Sequence, residues 1–468
     1  MPNYQFFYLF KHILSNLVLK KSTFAFLDET LSLHNKTQLM RYTPLSSETY
    51  INNRKKLSSE LPKGAMAIFN SNDIMPTNGD GTMNFRQNSD MLYLSGVDQE
   101  ESILVVFPES FSPVHREILF LKETSPEIAI WEGDKLDKKQ ATELTGVKTI
   151  FWLNQFETVL KTLMSDAKQV FLNSNEHTRQ GNEVETRDMR FNKWLMEVYP
   201  LHNYERVTPI MHRLRSLKST EEIEQMRKAC SITEKGLRRV LKFVKPGVNE
   251  YEIEAEFMHE FLRNGSRGFA YAPIIASGFN ACVLHYIENN EECKDGDLIL
   301  MDVGCEYGNY ASDMTRTIPV NGKFTPRQRA VYDSVLHVMK ECKKILRPGV
   351  FLNDYHKKVG ELMETELVKL GLITREDIEK QDPANPVYKK FFMHGTSHFI
   401  GLDVHDVGLW TEPVQAGMVF TIEPGIYIRD ENIGIRLEND LVITEDGYDD
   451  LMGNIPLEAD EIEALMAE

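Results

Sequence analysis

At 468 residues the chain is long for one domain and two are expected, with a hydrophobic content of 42% ample for their cores. The formal charge of −17 argues against nucleic acid and against an anionic membrane surface as partners, and its plainest role is solubility. Five cysteines, Cys230, Cys282, Cys293, Cys305 and Cys342, form no CxxC and are odd in number, which fits a reducing compartment, taken as the cytoplasm, and a metal site without thiolates.

Residues 1–39 differ in style from the rest. The apolar run Phe6 to Phe10 is broken up by Lys11, His12, Ser15 and Asn16, so it is too short and too polar to cross a membrane. It also lacks the basic start and small-residue cleavage site of a signal peptide. Met40 precedes a more ordinary polar start, and residues 1–39 are expected to be an extension outside the fold.

Residues 40–208 alternate strands with helical segments and predict an α/β domain. Ala65 to Phe69, Ile103 to Phe107, Ile118 to Leu121 and Val170 to Leu172 read as buried strands, and Trp194 to Met196 falls in a helix. No Gly-rich phosphate loop and no metal-ligand spacing occurs here. Phe85-Arg86-Gln87-Asn88-Ser89-Asp90 reads as a loop ahead of an aromatic strand, Leu92 to Leu94.

A second domain, 209–468, opens with the capping-box spacing of Ser219 to Glu222 and a helix running to about Lys242. Lys245-Pro246-Gly247-Val248 breaks it, and Asn249 to Glu252 starts another. The pattern returns: Thr325-Pro326 opens a helix, Arg347-Pro348-Gly349-Val350 stops it, and Asn353-Asp354-Tyr355 starts the next. After each pair comes a strand-length apolar run bounded by glycines and ending in an acid, Gly296 to Gly304 with Asp302 and Gly417 to Gly425 with Glu423. Residues 209–468 therefore read as two related halves, an α+β domain with an internal pseudo-twofold repeat.

A hairpin centred between Tyr307 and Gly308 would set Asp302 opposite Asp313. One centred between Asp430 and Glu431 would set Glu423 opposite Glu438. Like charges directly opposed in an antiparallel pair repel, and two such pairs ask for a compensating cation. Four carboxylates balance two divalent ions, which suggests half of a two-metal site. Between the hairpins His394, His398 and His405 cluster in fourteen residues or fewer of chain, and His285 precedes the first acidic strand. Gly395, Thr396 and Ser397 make a helical HxxxH unlikely. One imidazole among four carboxylates makes a mostly oxygen site that suits manganese or cobalt at least as well as zinc.

Asp302, Asp313, His398, Glu423 and Glu438, in that order and in those contexts, resemble the five metal ligands of the pita-bread metallopeptidases, the methionine aminopeptidase and prolidase clan. The runs Phe85 to Asp90, Asp302 to Tyr307, Ser312 to Thr317, Leu402 to Gly408 and Thr421 to Tyr427 are similar to those of its Xaa-Pro aminopeptidases, over about residues 50 to 465.

The resemblance implies a pita-bread catalytic domain and two divalent ions, manganese before cobalt, zinc or iron. It implies cleavage of the bond between a first residue and a following proline by a hydroxide bridging the ions. It also implies that Asp302 and Asp313 hold one ion, Asp313 and Glu438 bridge, and His398 and Glu423 complete the other, with Glu423 as proton shuttle. His285, His394 and His405 are placed around the substrate, Tyr271 at the wall of the proline pocket, and Arg436, two residues from Glu438 on one strand face, at an ion pair or a substrate contact. Partners are peptides with proline second and further copies of the chain, as a homodimer or larger assembly. The loop Gly408 to Val414 is short and lacks the arginine and lysine that several relatives place near substrate. An open loop without basic residues favours an aminopeptidase over a dipeptidase, which must cap its site and anchor the proline carboxylate; a non-catalytic binding protein would be expected to have lost ligands.

Overall fold

The computed structural model describes residues 41–181 and 183–468, so the expectation for residues 1–39 lies outside the described residues. Strand β1 (Ala65–Asn70) is buried along its whole length. Ala65, Ala67 and Phe69 face one core, while Met66 and Ile68 face another, which explains why both sets are apolar. With β2 (Ile103–Val106), β3 (Glu117–Leu121), β4 (Thr149–Trp152), β5 (Gln169–Leu172) and β6 (Tyr204–Arg206) it forms one mixed sheet, in the order β4-β3-β2-β1-β5-β6. The first of the two cores is continuous with that of the carboxyl-terminal half.

The expected strand at Leu92 to Leu94 is instead part of a helix, Ser89–Ser95. Asn88 decides the matter. Its side chain accepts from the amides of Asp90 and Met91, and Gly96, with positive φ, closes the other end. This short helix carries the Phe85 to Asp90 run against the carboxyl-terminal half: Ser89 donates to Asp403 (3.1 Å), and Asp90 pairs with Arg215 (2.9 Å).

In the carboxyl-terminal half the helices Thr220–Phe243 and Glu250–Arg263 both start at capping boxes, and Pro326–Ile345 at a third. The fourth helix, Leu352–Lys369, begins slightly earlier than expected, with Phe351 rather than Asn353 at its start. The helix-break-helix-strand unit thus occurs twice, giving the pseudo-twofold α+β architecture. No helix among the described residues is long and apolar enough to cross a membrane.

The first repeat continues through β7 (Ile274–Ser277), β8 (Leu298–Val303), β9 (Glu306–Tyr307), β10 (Tyr310–Ala311) and β11 (Met314–Pro319). Asp302 on β8 faces Thr315, not Asp313, which corrects the expected pairing. The turn lies at Gly308 and Asn309, both left-handed (φ 60° and 68°), the signature of a two-residue type I′ hairpin. Moving the centre by one residue moves the partner by two, and leaves Asp313 just ahead of β11.

The second repeat holds β12 (Val419–Ile422), β13 (Gly425–Ile428), β14 (Ile433–Arg436), β15 (Asn439–Ile443) and β16 (Tyr448–Asp450). Ile422 pairs with Asn439 and Gly425 with Arg436, so one register runs through both ladders. Glu423 and Glu438 fall opposite each other in the break between them, as expected. The two hairpins are stitched together by Arg316, which is fully buried. Its guanidinium donates to the carbonyls of Thr315, Glu438 (2.7 Å) and Pro456 (2.7 Å) and to the Asn439 side chain (2.8 Å).

Gly304 sets how close the chain can return to Asp302. A Cβ there would lie 1.7 Å from the carbonyl oxygen of Ser312. Gly304→Ala is therefore expected to destabilise the fold by about 3 kcal/mol in denaturant unfolding. Gly447→Ala, where a Cβ meets nothing within 4 Å, should change stability by less than about 0.5 kcal/mol.

Candidate active site

The ends of β8 and β11, the break between the second-repeat ladders and the segment around His394 to Asp406 converge. Asp313, His398 and Glu438, all buried, each offer a ligand atom, and these atoms lie within 4.8 Å of one another. Glu423 Oε1 is 3.9 Å from His398 Nε2, and Asp313 Oδ2 is 3.5 Å from it. Asp302 joins through Tyr271, whose hydroxyl is 2.7 Å from Asp302 Oδ1 and 2.5 Å from Asp313 Oδ1. All five expected ligand residues thus share one neighbourhood. Tyr271, expected as a pocket wall, reaches the two acids with its hydroxyl.

The atoms facing one another are nearly all acceptors. His398 Nδ1 sits 2.9 Å from the Phe399 carbonyl, which can only accept, so Nδ1 carries the proton and Nε2 turns its lone pair towards Asp313 and Glu423. Burial lowers the His398 pKa and keeps the ring neutral. The Tyr271 hydroxyl has one proton for two carboxylates. Burial, then the charges of Asp302 and Asp440, push Asp313 well above the carboxylate range. Burial, then Asp313 and Glu423, do the same to Glu438. Burial raises Glu423 as well, only partly offset by its favourable interactions with His398 and Arg436. Oxygen donors with one imidazole nitrogen, whose negative charges burial and mutual repulsion make costly to hold, fit divalent cations.

Around this set lies a layer of partners. Arg436 Nη2 pairs with Asp302 (2.5 Å), Nη1 donates to the Tyr427 hydroxyl (2.7 Å), and Nε to Thr315 Oγ1 (3.2 Å). Thr315 in turn donates to Glu438 (2.6 Å). The Tyr427 hydroxyl is 2.8 Å from His394 Nε2, while His394 Nδ1 donates to the Gly395 carbonyl (2.7 Å). Burial first, then Arg436, lower the His394 pKa to about 3. His405 packs edge-on against His398, with ring centroids 4.4 Å apart, and its Nε2 accepts from Arg179 (2.9 Å). Next to it, Asp406 is gripped by Arg215 (2.5 Å) and Lys218 (2.9 Å). Burial pushes that carboxyl up, but the two cations more than offset it and hold it below its ordinary range. His285 is exposed, yet close enough to His394 and His405 to act electrostatically on both.

Sequence reasoning did not find Thr315, Asp440 or Arg179. Asp440 accepts the Asp313 amide (3.0 Å). Thr315 and Asp440 sit next to strand positions that were read, and a correct hairpin register would have pointed to Thr315.

The chain matches two family models: metallopeptidase family M24 over residues 224–445, and the aminopeptidase P amino-terminal domain over 50–171. It is 35% identical to Xaa-Pro aminopeptidase of Escherichia coli, over 90% of this chain and 98% of that protein. It is 33% identical to the mitochondrial intermediate cleaving peptidase 55 of Arabidopsis thaliana, over 90% of this chain and 83% of that one. Zinc-substituted E. coli aminopeptidase P, solved in complex with product, superposes with a TM-score of 0.81 at 35% identity, covering 91% of this chain and 99% of its own.

In metal-free protein the raised Asp313 and Glu438 bind protons in the folded state that the unfolded chain has already released. Their contribution to stability is full below the ordinary carboxylate range and is lost as pH rises through the raised folded values. Chelator-treated protein should therefore melt at a lower temperature at about pH 8 than at about pH 5. Added manganese should raise the melting temperature, more at the higher pH; equal melting with and without metal at the higher pH would contradict the site.

Proposed function

We infer that this chain, which belongs to metallopeptidase family M24 and carries the amino-terminal domain of aminopeptidase P ahead of its catalytic half, is a metal-dependent exopeptidase that removes the residue preceding a proline. The observation that carries this reading is the set of acceptors turned towards one another, buried Asp313, His398 and Glu438 with partly buried Glu423, and Asp302 alongside. These five residues would hold two divalent ions. Manganese suits the oxygen-rich set, with cobalt, zinc and iron as alternatives. Bound there, the ions supply Lewis acidity and a water that ionises near neutral pH.

The chain's own residues do the rest. The bond before proline has no N–H, so nothing in the site needs to grip one. Glu423 stands next to the acceptor set and takes the proton of the attacking water, then returns it to the proline nitrogen as that nitrogen leaves. The substrate amino group lies by Asp302, which is only partly buried, and the ion pair with Arg436 fixes the carboxylate's direction. His394 is held at both ring nitrogens and frames the pocket without turning. Tyr271, His285 and His405 complete the substrate's surroundings, and Arg436 holds Asp302 and Tyr427 in register.

We divide the described chain near residue 209, between the two matched segments. The five buried free cysteines support a cytoplasmic setting, with the mitochondrial location in one relative's name as the alternative that cell fractionation tests. A homodimer or larger assembly is the expected state, measurable by sedimentation.

With added Mn²⁺ the protein should release the first residue from Xaa-Pro-Yaa peptides; activity confined to Xaa-Pro dipeptides would make it a dipeptidase, and metal binding without hydrolysis a binding protein. Glu438→Gln removes one of the buried like charges, so the metal-free melting temperature should hold or rise while turnover disappears. Tyr427→Phe breaks the link between Arg436 and His394 and should lower turnover roughly tenfold with the fold intact.

A further inference from the structure

The amino-terminal domain sends one side chain into the site. After β5 the chain makes a short, well-tied loop. The Asn175 side chain accepts the His177 amide (3.0 Å), the Gln180 amide donates to the His177 carbonyl (2.9 Å), and the Arg179 amide donates to His177 Nδ1 (3.2 Å). Arg206 holds the loop from below by gripping Glu176 (2.8 and 2.9 Å). This aims the Arg179 guanidinium at His405 Nε2, 2.9 Å away. A guanidinium only donates, so the contact occupies the His405 lone pair and leaves the rest of the five-donor fork unused.

Among the described residues, no carboxylate lies within ion-pair distance of Arg179, although acids are close along the chain and in the loop beside it. Each of them is already engaged: Glu176 by Arg206, Asp403 by Arg215 and Ser89, Asp406 by Arg215 and Lys218, Glu412 by Arg213 (3.2 Å). The other guanidinium of the site, Arg436, is committed to Asp302, Tyr427 and Thr315. A positive fork therefore stands at the site with no anion of its own. The catalytic-half loop Gly408 to Val414 offers no arginine or lysine to share the task.

We propose that Arg179 is the specificity residue that receives the free carboxylate of a short leaving peptide. The assignment rests on the exopeptidase reading above. The scale of the site agrees with it. Two residues of extended chain, the proline and one more, span about 7 Å. From His398 to the guanidinium the path is one ring-to-ring step of 4.4 Å and one hydrogen bond of 2.9 Å. A planar fork meeting a carboxylate forms paired N–H···O bonds, which a lysine or an amide cannot reproduce in full.

The test uses the manganese-loaded full chain and two probes, the dipeptide Pro-Leu and its carboxamide, with binding read by calorimetry. Wild type should bind the acid more tightly than the amide. Arg179→Gln should weaken the acid about tenfold and the amide little, and Arg179→Lys should recover part of the loss. With Xaa-Pro-Leu as substrate, Arg179→Gln should raise KM by a similar factor while kcat holds. Arg179 is exposed, so the variants are expected to fold. Unchanged acid binding in Arg179→Gln, or an equal loss for acid and amide, would overturn the proposal, the second because it would mean that Arg179 acts only by placing His405. A wild type that hydrolyses no Xaa-Pro peptide would instead count against the exopeptidase reading, whereas the acid-over-amide preference is read separately from turnover.

Discussion

The structure is governed by the need to bring several carboxylates together where water is scarce. Two unit charges of like sign about 5 Å apart repel by about 3 kcal/mol even at an effective dielectric of about 20. The backbone must withstand this without opening. It does so because neither acidic hairpin stands alone. Arg316 lies between them, its guanidinium spent on carbonyls of the second repeat, and the Glu438 amide donates back to the Thr315 carbonyl (3.1 Å). The acids are thus fixed by main-chain bonds they do not themselves make.

The pocket also settles its own protons. The Phe399 carbonyl decides the tautomer of His398 and the Gly395 carbonyl that of His394, so each imidazole offers a defined atom before any ligand arrives. Arg436, Tyr427 and Thr315 then connect Asp302, His394 and Glu438 through direct hydrogen bonds. Sites of this kind are held by their surroundings as much as by their ligands.

Much of this was legible in the sequence, and the misses have physical causes. The Glu423 and Glu438 pairing followed from counting back from the turn, because one register runs unbroken through both ladders. The same count failed for Asp302 because the left-handed pair Gly308 and Asn309 moves the turn by one residue. Leu92 to Leu94 looked like a strand because three apolar residues are too few to show a period, and the deciding feature was the cap at Asn88. Arg179 carried no local signal at all, since its partner lies 226 residues away. Four of the five expected ligand residues stand at strand ends with a neighbouring glycine or turn to mark them; the layer behind them is set by tertiary contacts alone.

Arg215 has a wider meaning. It is buried, it joins Asp90 of the amino-terminal helix to Asp403 and Asp406, and the last of these adjoins His405. The amino-terminal helix and the segment that carries His405 are thereby tied to one buried cation. Removing that one guanidinium would leave Asp90, Asp403 and Asp406 without their shared cation, so the join between the two halves and the placing of His405 rest on a single charge.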